Sequence, residues 1–198
     1  MKTLEYITQK FQVDITKKSP IEITKINRVI MAQTLNELDF KSGAEVGVAF
    51  GTHAELLCQN IPNVKLYCID PWTRYKGYNE FFASKLSLWR GKAIEKLTPY
   101  GCEIIEKFSM DAVKDFQDGS LDFVYLDGAH DFQSVVNDIC EWVKKVRSGG
   151  IIFGHDYKRD KNPNIKHHVV DAVNGYTYSH HIQPWFLLGE QGKADGLY

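Results

Sequence analysis

The stretch DGSLDFVYLDGAHDFQSVVNDICEW, residues 118–142, decides how the rest of the chain is read. Leu121–Leu126 is apolar at nearly every position, which is the pattern of a strand covered on both faces. A polar turn, Asp127–Asp131, follows it. The spacing then becomes helical: Val135, Ile139, Trp142 and Val146 fall on one stripe. Lys144, Lys145 and Arg147 sit in the last turns, where cations suit the helix dipole, and Gly149-Gly150 is expected to stop the helix. A buried strand, a turn and an amphipathic helix make the βα unit of a parallel sheet.

The same unit recurs on both sides. Upstream, Glu45–Val48, Val64–Ile69 and Cys102–Lys107 read as strands, separated by helices over Thr52–Asn60 and Phe81–Leu97. A short helix over Asp111–Phe116 leads into the deciding strand. Downstream, Ile151–Phe153 is a fifth strand and a helix runs around His168–Asn174, ending at Gly175. Tyr176–Ile182 and Trp185–Leu188 then read as two strands joined by Gln183-Pro184, a link short enough to imply an antiparallel pair. The expectation is an α/β fold: a single doubly wound, Rossmann-like domain with a mostly parallel, seven-stranded sheet and one antiparallel strand near the C-terminus. Residues 42–198 form this domain. Residues 1–41 read as a helical lead-in, with Ile26, Ile30, Leu35 and Leu38 near helical spacing and a break at Lys17–Pro20.

Composition narrows the function classes. The 198 residues are 43% hydrophobic and 25% charged, an ordinary globular balance. The net charge of −1 implies neither nucleic acid nor an anionic membrane as partner. Met1–Lys10 has no apolar core that would make it a signal peptide, and no stretch approaches the roughly 20 apolar residues of a membrane span. The four cysteines, Cys58, Cys68, Cys102 and Cys140, form no CxxC pair. That usage suits a reducing compartment, so a cytoplasmic location is expected.

Ligands of such sheets bind at the carboxyl ends of the strands, so the residues there carry most information. The first strand ends in EVGVAFG, residues 45–51. Its two glycines let backbone approach a ligand, and the turn feeds a helix N-terminus that attracts a carboxylate. Asp70 closes the second strand, where a carboxylate can accept hydrogen bonds from ribose hydroxyls. Loop and acid together point to an adenosine-containing ligand. The loop lacks the G-x-G-x-x-G of a dinucleotide site, because Ala49 stands at the second glycine position. Asp127 and His130 follow the fourth strand and His155-Asp156 the fifth. If the strands are neighbours these four meet in one pocket, and such a donor set suits a divalent cation. Asp131 reads as a helix cap.

In these motifs the chain resembles class I S-adenosylmethionine-dependent methyltransferases, and in particular the small bacterial and phage group called methyltransferase family 24. The resemblance covers residues 43–188 and rests on EVGVAFG, CIDPW, the 118–142 stretch and SGGIIFGHDY. It implies that Glu45, Gly47, Ala49 and Gly51 cradle the methionine part of the cofactor, with Thr52 and His53 near its carboxylate. It implies that Asp70 holds the ribose, that Pro71 and Trp72 flank the adenine, and that Ser109 and Met110 contact the adenine edge. More distant O-methyltransferases hold Mg²⁺ with an acid at the position of Asp127 and a pair at 155 and 156. By that likeness Asp127, His155 and Asp156 would hold a divalent cation such as Mg²⁺ or Mn²⁺. A lysine that serves as base in catechol-type enzymes falls at His130.

The reaction this implies is methyl transfer to an oxygen of a small-molecule or sugar acceptor. The protein must align the acceptor and remove its proton. His130, with an ordinary pKa near ~6.5, is the candidate base, with Asp127 beside it in the catalytic site. A cation on Asp127 and Asp156 would lower the acceptor's pKa. Trp72, Tyr75, Tyr78, Phe81 and Phe82 crowd the segment after Asp70 and are either an acceptor-stacking mouth or helix packing. Lys158, Arg159, Lys161 and Lys166 read as a solvated loop. Two rival readings remain: a metal-dependent hydrolase or lyase built on Asp127, His130, His155 and Asp156, and a non-catalytic S-adenosylmethionine-binding module.

Overall fold

The computed structural model describes residues 2–74, 83–159, 167–190 and 193–198. The tyrosines and phenylalanines at 75, 78, 81 and 82, and Lys161 and Lys166, lie outside the described residues.

The elements in chain order are α1 (Thr3–Phe11), β1 (Ile21–Ile23), α2 (Arg28–Glu37), β2 (Ser42–Val46), α3 (Thr52–Asn60) and β3 (Lys65–Ile69). They continue with α4 (Ala83–Leu97), β4 (Glu103–Ile105), α5 (Ser109–Ala112), β5 (Leu121–Leu126) and α6 (Phe132–Lys145). The chain closes with β6 (Val146–Gly154), α7 (Val169–Ser179), β7 (Phe186–Glu190) and β8 (Lys193–Leu197). Five strands form a wholly parallel sheet in the order β4-β3-β2-β5-β6.

The alternation along β5 explains the double layer. Phe123 and Tyr125 point to one face, where they pack with Leu57, Ala93 and Leu97 of α3 and α4. Val124 and Leu126 point to the other, against Val135, Ile139 and Trp142 of α6 and Val173 of α7. A period-two strand buried on both sides must be apolar throughout, as 121–126 is.

Where the structure departs from the sequence reading, tertiary pairing is the reason. Among the described residues the large sheet has five strands, not the seven expected. A separate three-stranded sheet, β1-β7-β8, takes up the ends of the chain, with β1 parallel and β8 antiparallel to β7. The lead-in is thus not all helical, since Ile21–Ile23 is recruited by residues 186–188. Tyr176–Ile182 is not a strand: most of it completes α7. The antiparallel pair is β7 with β8. Tyr198 ties this small sheet to the large one by mutual backbone hydrogen bonds with Gly154 (3.0 and 3.1 Å). Gly149-Gly150 do not stop α6, which ends at Lys145. They lie inside β6 at a bulge between the Leu121–Val146 and Phe123–Ile151 pairs. A Cβ on Gly150 would sit 2.4 Å from the Asp122 carbonyl oxygen.

No helix among the described residues is long and apolar enough to cross a membrane. All four cysteines are free thiols.

Asp122 clamps this arrangement. Its Oδ2 accepts the backbone N–H of Lys41 (2.7 Å) and Ser42 (2.8 Å), and its Oδ1 accepts from Arg147 Nε (2.6 Å). Burial pushes its pKa up, but these donors outweigh burial and hold the carboxyl below its ordinary range. A group depressed on folding stabilises at neutral pH and loses that contribution as the pH falls. We expect Asp122→Ala to lose about 2–4 kcal/mol at pH 7 in urea denaturation. The gap to the parent should close in acid; an equal loss at all pH values would mean the carboxylate's charge is irrelevant.

Candidate functional site

The strand order reverses between β2 and β5, so the carboxyl ends of these neighbours open the crevice where α/β sheets bind ligands. The two ends touch. Asp127 N–H donates to Val46 O (2.8 Å), while on its other side the β2 end is tied to β3 by Gly47 N–H donating to Ile69 O (2.9 Å). A Cβ on Gly47, whose φ is +92°, would lie 2.1 Å from the Asp127 carbonyl oxygen. Only glycine fits there.

Asp70 ties the next two turns together. Its Oδ2 accepts from Ala49 N–H (2.9 Å) and its Oδ1 from Trp72 N–H (2.7 Å). Trp72 Nε1–H donates in turn to Ala49 O (2.6 Å). Burial raises the Asp70 pKa, while the backbone donors pull it down without cancelling the effect. Each carboxylate oxygen keeps a second lone pair for a ligand.

These turns wall a cavity of about 430 Å³, within the usual range for small-ligand sites. It gathers Gly47, Ala49, Asp70, Pro71, Trp72, Ser109, Met110, Asp127 and His130. Four residues expected at the cofactor do not line it. Glu45 is buried and paired with His53 Nδ1 (3.0 Å) behind the loop, where burial raises the carboxyl pKa against the opposing His53 charge. Gly51 packs on Ala93 of α4, and Thr52 faces outward to accept from Lys96 Nζ (2.7 Å).

Beyond Asp127 and His130 the cavity adjoins a polar cluster. His130 Nε2 lies 3.7 Å from Asp127 Oδ1 and 3.1 Å from Asp156 Oδ2. His155 Nδ1 is 3.3 Å from Asp156 Oδ1, and Lys158 Nζ is 2.6 Å from the same oxygen. Tyr125 O–H donates to Asp127 Oδ2 (3.1 Å). Asp127, His155 and Asp156, expected to share a cation, do offer ligand atoms within 4.8 Å of one another. The ordinary pKa expected of His130 does not hold. Burial pulls it down, but Asp127 and Asp156 outweigh burial and lift it to about 9. Asp156 is driven well below the carboxylate range: burial raises it, and His130, His155 and Lys158 overcome that. As expected, Asp131 caps α6, accepting from Ser134 N–H (3.2 Å).

Two further residues, His167 and Asp138, enter the site without having stood out in the sequence, and Arg28 acts from behind it. Arg28, from the lead-in, acts on the buried Glu45 and on Tyr125 through its charge. His167 reaches the cluster just before α7, its Nε2 3.9 Å from Asp156 Oδ1. Asp138, on α6, lines the Ser109–Met110 end of the cavity. The one available signal was Asp138 itself, a carboxyl on the apolar side of an amphipathic helix. Trp142 Nε1–H donates to Ser109 Oγ (2.8 Å), which donates to Asp138.

A family model described as a methyltransferase domain matches residues 44–157. The chain belongs to this family and is a class I S-adenosylmethionine-dependent methyltransferase. Solved structures share its fold. The O-methyltransferase of Bacillus cereus, in complex with SAH, is 14% identical, with 92% of this chain and 80% of that chain covered and a TM-score of 0.58. The O-methyltransferase TomG of Streptomyces achromogenes, in complex with SAM, is 14% identical over 98% and 86%, with a TM-score of 0.59. A caffeoyl-CoA O-methyltransferase candidate from Staphylococcus aureus is 17% identical over 91% and 81%, with a TM-score of 0.57. Comparison with curated proteins finds no match.

Asp138 is 6% exposed, and burial pushes its pKa up to about 7, with the Ser109 hydrogen bond opposing. The native state keeps this proton where the unfolded chain has already lost it. Stability should therefore be full in acid and fall as the pH rises from about 4 to about 7. We expect Asp138→Asn to escape that fall, gaining up to about 4 kcal/mol on the parent at pH 8 relative to pH 4. Urea denaturation at both pH values checks this; parallel curves would show that Asp138 titrates normally.

Proposed function

We propose that this methyltransferase acts on a hydroxyl oxygen of a small molecule or sugar. The observation that carries the reading is that Asp127 and His130 belong at once to the cofactor cavity and to the polar cluster. An acceptor held by the cluster thus sits beside the cofactor. The cofactor, when bound, supplies a methyl carbon on a sulfonium, which leaves readily.

The chain's own residues supply placement and proton removal. Gly47 and Ala49 bring backbone close to the methionine part, and Asp70 turns its spare lone pairs to the ribose. Pro71 and Trp72 take the faces of the adenine, and Ser109 and Met110 its edge. Asp138 lines this end of the cavity and offers a carboxyl to the adenine amino group. Glu45, Gly51, Thr52 and His53 support the loop from behind. Its buried strand-end carboxylate and closely approached glycine fit such a ligand.

Two routes exist for the acceptor's proton. His130 takes it as base once it has given up its own, or Asp127, His155 and Asp156 would hold a divalent cation whose charge would lower the acceptor's pKa. Asp127 orients either arrangement. The metal-dependent hydrolase or lyase reading is disfavoured, because hydrolysis needs no adenosine-type cradle. The non-catalytic reading leaves the polar cluster without a purpose.

Calorimetry with S-adenosylmethionine and a methyl-transfer screen of sugar and catechol-type hydroxyls test this reading. Asp70→Ala should weaken cofactor binding by roughly 1–3 kcal/mol. Asp127→Asn should lower kcat by at least roughly 100-fold while the fold, checked by circular dichroism, holds. Undiminished cofactor affinity in a folded Asp70→Ala variant removes the ribose role. Transfer to amines and not to hydroxyls would overturn the acceptor class.

A further inference from the structure

We propose that the polar cluster is a transition-metal centre whose protein ligands are His130, Asp156 and His167, with Asp127 and His155 at its rim. This ligand set differs from the Asp127, His155 and Asp156 set that the family resemblance implies. The inference rests on the proposed function for its purpose, though its geometry stands independently.

The ligand atoms of His130, Asp156 and His167 all lie within 4.8 Å of one another. His130 Nε2 is 3.1 Å from one Asp156 oxygen and His167 Nε2 is 3.9 Å from the other. Ligands bonded to one ion at about 2.0–2.2 Å are about 3–4 Å apart, so little movement brings these three around a common centre. The cluster is shielded: side-chain exposure is 8% for His167, 14% for Asp156 and 24% for His130. Nε2 of His130 is shut off from solvent and, though 3.1 Å from Asp156 Oδ2, makes no hydrogen bond of proper direction. A buried ring nitrogen left this way is costly, and a metal held by His130 would satisfy it.

The arrangement is built, not accidental to side-chain rotation. His168 N–H donates to His130 O (2.8 Å), and Phe132 N–H donates to His168 Nδ1 (3.3 Å). These bonds fasten the segment before α7 onto the loop after β5 and set the His130 and His167 rings 5.1 Å apart. Asp156 is held by its neighbours. Tyr157 N–H donates to Gly196 O (2.8 Å), and Asp156 itself takes a positive φ of 63°. Lys158, 62% exposed, supplies the carboxylate with a removable countercharge.

Chemistry decides the metal class. Mg²⁺ prefers oxygen ligands and keeps its waters. Two imidazoles and one carboxylate suit Mn²⁺, Fe²⁺, Co²⁺, Ni²⁺ or Zn²⁺ instead. With His130 engaged as a ligand, it would not be the base, and the cation would supply the lowering of the acceptor's pKa.

The test titrates the metal-free full-length chain with CoCl₂ and, separately, MgCl₂ by calorimetry, with the visible spectrum of Co²⁺ recorded in parallel. One Co²⁺ per chain should bind, at least roughly 100-fold more tightly than Mg²⁺, with ligand-field bands of imidazole coordination. His167→Ala, and the bulkier His167→Gln should the first fail to fold, should weaken Co²⁺ at least roughly tenfold. S-adenosylhomocysteine affinity, measured on the same samples, should not change. Absent stoichiometric binding, an equal preference for Mg²⁺, or full Co²⁺ affinity in a folded His167 variant would each overturn the centre. Failure of the unmodified chain to bind S-adenosylhomocysteine would instead sink the cofactor site, whatever the metal result.

Discussion

The site depends on the contact between the ends of β2 and β5. Because Asp127 donates its N–H to Val46 and its carbonyl meets Gly47, the backbones of two neighbouring strands leave the sheet side by side. A side chain at residue 47 would push them apart. Every other feature follows from that closeness. The β2 turn is free to bend toward Asp70, and the β5 turn delivers Asp127 and His130 to the same crevice.

Charge is arranged around that crevice in two separate accounts. Behind the loop, Glu45 is buried with His53 and acts under the field of Arg28, a polar core that shapes the turn from below. At the mouth, Asp127 and Asp156 face His130, His155 and Lys158. Burial alone would push the Asp156 carboxyl toward its neutral form. Neighbouring cations prevent this at Asp156, and the carboxylates of Asp127 and Asp156 in turn keep His130 protonated. The α6 carboxyl of Asp138 has no cation among the causes that shift it and drifts the other way.

The elements legible in the sequence are those whose neighbours are local or uniform. The βα unit at 121–146 declares itself because a strand covered on both faces has no polar option and a helix on one face has a periodic one. Asp70, Asp127 and His155-Asp156 were legible as strand-end residues for the same reason. The misread elements share a different trait. Ile21–Ile23 becomes a strand only because residues 186–188 lie beside it. Gly149-Gly150, a plausible helix stop, serves a bulge set by Asp122 of another strand. Tyr176–Ile182 carries β-prone residues, yet α7 continues through Ser179, and local propensity yields to packing.

The sequence by itself determined the doubly wound class, the strand ends that matter and the family, since each rests on residues close in the chain. Tertiary structure alone decided that Glu45 and His53 turn away from the cavity, that His130 sits between two carboxylates, and that His167 and Asp138 join the site. Those outcomes depend on distances between residues remote in sequence, and both a pKa and a coordination sphere are properties of such distances.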